Sequence, residues 1–192
     1  FREIGLTAYD KNIIATFHPV TLETNSLDQC REMLAALDSL GDETGIILTA
    51  SNADPEGASI TELVKSFAEI RKNVVFRPSL GTRLYLNALK HCDAMVGNSS
   101  SGLYEAPSFN LPAINIGNRQ QGRLKASSVI DVPAEKQQIK AAIIKALEQG
   151  KRQTENPYGD GNASVKIVAA LKNIKDMHQL VKKSFNILDC GP

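Results

Sequence analysis

Ala94-Met-Val-Gly-Asn-Ser-Ser-Ser-Gly-Leu-Tyr-Glu105 decides the fold. Ala94–Val96 is a short apolar run of strand type. A loop of glycine, asparagine and serine follows. Leu103 to Phe109 then predicts a helix, which Asn110 and Pro112 end. Strand, tight loop and helix make up half of a βαβ unit.

The same alternation repeats outward on both sides. Upstream, Ile13-Ile-Ala-Thr-Phe17 is a strand that stops at His18-Pro19. Leu27, Cys30, Met33, Leu34, Leu37 and Leu40 recur at helical spacing behind the N-cap candidates Asn25 and Ser26, and Gly41 ends that helix. Ile46-Ile-Leu-Thr-Ala50 is a strand. Ile60, Leu63, Val64, Phe67 and Ile70 mark an amphipathic helix. Val74–Phe76 is a strand ended by Pro78, and Leu84 to Leu89 is a short helix. Downstream, Ala113–Ile116 and Val129–Val132 read as strands. Ile139 to Leu147 is a helix stopped by Gly150, Ser164 to Ile174 is another, and Met177 to Val181 extends the last helical region.

Strands of a few residues alternating with helices predict an α/β fold: a Rossmann-like parallel sheet with helices on both faces. Such sheets bind ligands beyond the carboxyl ends of their strands, at a topological switch point. The loops after Phe17, Ala50, Phe76, Val96 and Ile116 are therefore where chemistry is expected.

Composition narrows the class. The 192 residues suit one compact domain, and 42% are hydrophobic, enough for a core. With 22 Lys and Arg against 21 Asp and Glu, the net charge is +1, which provides no field for nucleic acid or an anionic membrane. Five per cent aromatics and no Trp argue against a base-stacking single-strand binder. Cys30, Cys92 and Cys190 are odd in number and widely spaced, as expected of reduced thiols in a cytoplasmic protein. No Cys/His spacing suits a metal, and no cofactor is implied. No apolar run approaches a membrane span and no signal peptide is visible.

Backbone N–H groups at a helix N-terminus bind phosphate, and Gly97-Asn-Ser-Ser-Ser-Gly102 offers such groups together with hydroxyls. The plain alternative is a serine cap on a flexible turn. Glu105 lies one turn beyond Ser101, placed to accept hydrogen bonds from ribose hydroxyls, or else to complete a capping box. Arg119 and Arg123, flanked by glycines after the next strand, could form a diphosphate fork or simply face solvent. His18, at the end of the first strand, could titrate near neutrality or donate to a phosphate; its alternative is a packed histidine. Arg77-Pro-Ser-Leu-Gly-Thr-Arg-Leu-Tyr85 could form a nucleobase wall or an ordinary turn. Tyr158-Gly-Asp-Gly161 reads as a structural turn.

Five segments together resemble the UDP-N-acetylglucosamine 2-epimerase family: Thr16-Phe-His-Pro-Val-Thr21, Gly97-Asn-Ser-Ser-Ser-Gly102, Glu105-Ala-Pro-Ser-Phe109, Asn115-Ile-Gly-Asn-Arg-Gln-Gln-Gly-Arg123 and Asn156-Pro-Tyr-Gly-Asp-Gly161. Their order and spacing match over roughly Ile13 to Ile174. The resemblance implies one domain of a two-domain enzyme similar to GT-B glycosyltransferases. Residues 1–192 would be the C-terminal, UDP-binding domain, with 175–192 as a terminal helix and tail and the N-terminal domain outside this chain. It also implies that Ser100, Ser101 and Gly102 hold the diphosphate, Glu105 the ribose, and Arg119 the nucleotide, while His18 lies in the active site.

Phe17-His-Pro-Val-Thr21 resembles the hydrolysing branch, which feeds sialic-acid-type sugars and releases UDP and N-acetylmannosamine. Non-hydrolysing relatives usually carry His-Arg there. Some members take a UDP-diacetylbacillosamine substrate instead, and a GT-B glycosyltransferase donor domain is the alternative of a different class. The implied partner is a UDP-sugar, with a homodimer common in the family. Much of the proton chemistry belongs to the family's first domain, so the expectation for this chain by itself is weak UDP binding without turnover.

Overall fold

The computed structural model describes residues 1–21, 23–176, 178 and 181. Two compact units divide the chain, Phe1–Tyr158 and Gly159–Pro192.

The first unit holds six strands: β1 Lys11–Thr16, β2 Thr44–Thr49, β3 Val74–Arg77, β4 Ala94–Gly97, β5 Ala113–Ile116 and β6 Val129–Val132. All pair in parallel, in the order β3-β2-β1-β4-β5-β6. The helices between them are α1 Ser26–Asp38, α2 Gly57–Glu69, α3 Gly81–His91, α4 Ser101–Tyr104 and α5 Lys136–Gln149. The expected α/β sheet is thus present as a doubly wound one. Strand order reverses between β1 and β4, which fixes the switch point there.

Burial explains why the strands read as continuous apolar runs. Alternate β1 residues serve opposite faces. Ile13 and Ala15 join α1, α2 and α5 in one core with Met33, Leu37, Ile60, Val64 and Ile143. Ile14 joins the other core with Ile47, Met95, Leu89, Cys92 and Leu111. Each fully buried Ile or Leu contributes about 1.5–3 kcal/mol of transfer free energy.

Three details depart from the expectations. The helix foreseen over Leu103–Phe109 is instead the four-residue α4 followed by a 3-10 turn over Ala106–Phe109. Pro107 lacks the N–H that a continuing α-helix would use. Asn25 does occupy the N-cap of α1, but its carboxamide accepts from Gln29 Nε2 at 2.9 Å and not from the helix backbone. Finally, α3 begins at Gly81, three residues before its apolar positions reveal it.

The second unit contains α6, Ala163–Lys172, which has no buried residue. The expected terminal segment 175–192 falls within this unit, and of the stretch Met177–Val181 only His178 and Val181 are among the described residues. No helix among the described residues is long and apolar enough to cross a membrane.

Candidate functional site

Gly97 ends β4 with φ +133°, and a Cβ there would sit 1.9 Å from the Thr16 carbonyl oxygen. Only glycine lets β4 pass this close to β1. The chain then rises into the serine loop directly beside the turn that carries His18.

A cavity of about 560 Å³ opens at this switch point. His18, Ser99, Ser100, Ser101 and Glu105 line it, together with Thr16 and Thr49 from the strand ends and the segment Pro78–Thr82. Four of the expected site residues, His18, Ser100, Ser101 and Glu105, therefore share one cleft.

Tyr85 on α3 donates its hydroxyl to Ser101 Oγ at 2.6 Å, leaving the serine proton to point elsewhere. Burial raises the Tyr85 phenol above its ordinary value, so it remains a donor. Glu105 Oε2 is buried and has no hydrogen-bond partner among the described residues. The α4 helix is too short to carry a sizeable macrodipole, so the donors offered here are local N–H groups and hydroxyls. Those N–H groups are at Ser99 and Ser100, because Asn98 N bonds Thr16 O at 3.3 Å, Ser101 N bonds Ser99 Oγ at 3.4 Å and Gly102 N bonds Ser99 O at 3.2 Å.

Gly102 itself does not line the cavity. A Cβ on it would meet Ala113 Cβ at 3.3 Å, so its small size lets α4 lie on β5. Arg119 sits behind the serine loop, where its Nη1 donates to Asn98 O at 3.3 Å, and it lines a second cavity of about 410 Å³ with Asp54, Glu23 and Gln121. Arg123 lies over the Tyr104 ring at 5.5 Å. The two arginines face different partners and do not form a fork in this state. Asn156 and Tyr158 brace the same corner. Asn156 Nδ2 donates to Tyr104 O, and the Tyr158 ring meets Tyr104 edge-on at 4.3 Å.

The parts played by Asn98, Asn52 and Gln120 escape a reading of the sequence. Asn98 is fully buried and bonds the backbone of His18 twice, while its own carbonyl accepts from Gln120 Nε2 at 2.8 Å. The Asn52 backbone N–H donates to His18 Nδ1 at 3.0 Å. Burial and the nearby Arg119 charge lower the His18 pKa from 6.5 to about 4, against the opposing pull of Asp54. His18 is thus neutral at neutral pH, which removes the option of titration there. Cys30 and Cys92 are free and buried, and burial pushes both thiols up to about 12, so they are unreactive.

Fold and cleft together define a doubly wound α/β domain with its cavity at the switch point. The sequence model for UDP-N-acetylglucosamine 2-epimerase matches residues 2–172, and the chain belongs to that family. It is 37% identical over 185 residues to the polysialic acid biosynthesis protein P7 of Escherichia coli, covering 92% of this chain and 46% of that protein. It is 34% identical over 176 residues to a hydrolysing UDP-N,N'-diacetylbacillosamine 2-epimerase of Legionella pneumophila, covering 91% and 46%. The UDP-GlcNAc 2-epimerase structure from Methanocaldococcus jannaschii has the same fold, with a TM-score of 0.68 at 16% identity over 87% of this chain and 47% of that one. The chain spans about half the length of these relatives.

Proposed function

We propose that this chain is the C-terminal, UDP-binding domain of a hydrolysing UDP-N-acetylglucosamine 2-epimerase. The observation that carries the proposal is the joint placement of Ser100, Ser101, Glu105 and His18 on one switch-point cavity. Ser100 and Ser101 bind the diphosphate through their hydroxyls and the Ser100 backbone N–H, with Tyr85 orienting Ser101. Gly102 keeps the helix close enough to the sheet to present them. Glu105 accepts from the ribose hydroxyls. Pro78–Thr82 forms the base wall. Arg119 lends positive charge to the diphosphate from behind the loop.

In the reaction a base removes the C2 proton, the C1–O bond breaks, and its electron pair leaves on the β-phosphate oxygen of UDP. Water then adds across the C1–C2 double bond with inversion at C2, giving N-acetylmannosamine. Stabilising the charge on the departing phosphate is this domain's share of the work. The base belongs to the remainder of the whole protein.

The test is to supply full-length protein with UDP-N-acetylglucosamine. Free UDP with N-acetylmannosamine is expected. UDP-N-acetylmannosamine without UDP release would place the enzyme in the non-hydrolysing branch, and sugar transfer to an acceptor would make it a glycosyltransferase. The likeness to the Legionella enzyme favours a second reading in which the sugar is diacetylbacillosamine; comparison of kcat/KM for the two UDP-sugars decides between them.

A further inference from the structure

A guanidinium carries several N–H donors, and that of Arg123 uses none of them. Its Cζ lies 5.5 Å from the centroid of the Tyr104 ring, and among the described residues no carboxylate or carbonyl accepts from it. A cation over a ring at an exposed position is weakly held. A phosphate offers the same group paired charge-assisted hydrogen bonds in the planar fork that arginine fits.

The ring beneath it shows how near the cavity it stands. Tyr104 ends α4, and its N–H donates to Ser100 O at 2.9 Å. Residues four apart share a helical face, so Tyr104 lies one turn, about 5.4 Å, from Ser100, which lines the cavity. Rotation about the bonds of a long side chain covers that distance.

The Arg123 backbone need not move. On one side, the buried Gln120 donates Nε2 to Asn98 O at 2.8 Å, and the Arg123 N–H donates to Gln120 O at 3.3 Å. On the other, the Tyr158 hydroxyl donates to Leu124 O at 3.0 Å while the Tyr158 ring meets Tyr104 edge-on. The loop is pinned around Arg123, and only its rotamer is left to change. Arg119, from the same loop, reaches Asn98 O from behind the serines. Burial lowers the Arg119 pKa, Asp54 opposes this, and the Arg123 charge adds to the lowering. The two cations repel, and an anion placed between them relieves the repulsion.

We propose that Arg123 is a second arginine for the diphosphate: it exchanges the Tyr104 ring for phosphate oxygens, so that Arg119 and Arg123 close on the diphosphate from two sides of the serine loop. This role rests on the UDP-sugar reading above. No bond is made or broken in the exchange. The added charge stabilises the diphosphate as it departs.

NMR of the chain reads the exchange, because protons held over a tyrosine face are displaced upfield. Millimolar UDP is expected to shift the Ser100 and Ser101 signals and to return the Arg123 side-chain signals to ordinary positions. Uridine, which has no phosphate, should leave Arg123 on the ring. Shifts at the serines with Arg123 unmoved would refute the second arginine and leave the nucleotide reading standing. No shift at the serines would sink the nucleotide reading, and the arginine's role with it. Release of Arg123 by uridine as well would mean a loosened corner without a phosphate contact, and would also overturn the proposal.

In full-length protein, Arg123→Ala should raise the Kd for UDP about 10-fold or more and leave that for uridine within about twofold. Arg123→Lys keeps the charge without the fork and should fall between wild type and alanine. Equal UDP affinity in wild type and Arg123→Ala would refute the contact. Equal losses for UDP and uridine would reduce Arg123 to a structural prop and refute it too.

Discussion

Replacing Glu105 with glutamine tests the nucleotide site most directly. Glu105 Oε2 is buried in the structure without a partner, and leaving a buried acceptor unmade costs about 1–3 kcal/mol. Two ribose hydroxyls can satisfy an acceptor-only carboxylate with two charge-assisted bonds of about 1.5–3 kcal/mol each. Glutamine keeps the shape but offers one neutral acceptor and one donor. Each bond then falls to about 0.5–1.5 kcal/mol, and one hydroxyl must reverse its direction. The net loss is about 2–3 kcal/mol, or about 30- to 150-fold in the Kd for UDP. Calorimetric titration of the wild-type and Glu105→Gln chains measures it. A 2'-deoxy UDP analogue completes the cycle: it should bind the wild type poorly and lose little further on Glu105→Gln. A Glu105→Gln Kd within about threefold of wild type, or a full deoxy penalty retained in that variant, would refute the ribose assignment.

The remaining expectations concern the seam around this residue. Tyr85→Phe removes the bond to Ser101 and should weaken UDP binding by about 0.5–1.5 kcal/mol with the fold unchanged, as read by calorimetry and circular dichroism. Gly97→Ala drives a methyl group into the Thr16 carbonyl at a positive φ, so stability should fall by about 3 kcal/mol or more in urea melts. His18 has a folded pKa of about 4 against an ordinary 6.5, so the folded chain binds fewer protons between those values. Its contribution is complete above about pH 6.5 and is lost as pH falls toward 4, by about 1–2 kcal/mol once partial exposure is discounted. Urea melts across that range should show a shallower slope for His18→Gln than for wild type.

The central strands were legible because they are buried on both faces. Runs such as Ile13–Phe17 and Ile46–Ala50 stand out against the polar loops. The place of β4 beside β1 was not, since chain order does not state pairing order. The break after α4 depended on one proline inside an apolar pattern. At the site, residues with a family signature or a place after a strand were visible. His18, Ser100, Ser101 and Glu105 converge on one cavity, while Gly102 and Arg119 lie next to it. Asn98 and Asn52 stand in such loops too, but the parts they play were not legible, for a physical reason. Each acts through hydrogen bonds to another segment's backbone or ring, and neither such contact leaves a periodic trace in the sequence.

The β1–β4 pairing brings together segments far apart in sequence, with Asn12 bonded to Asp93 across 81 positions. Until β4 arrives, β1 has one unpaired edge, and the first three strands stand as an open half-sheet. The cleft lies across the line where the two halves join. A nucleotide bound there touches both sides and so acts as a rivet, stabilising the joined form by RT ln(1 + [L]/Kd). Amide exchange at β1 and β4 should therefore slow with UDP more than exchange at the outer strand β6, making assembly of the sheet itself a gauge of ligand occupancy.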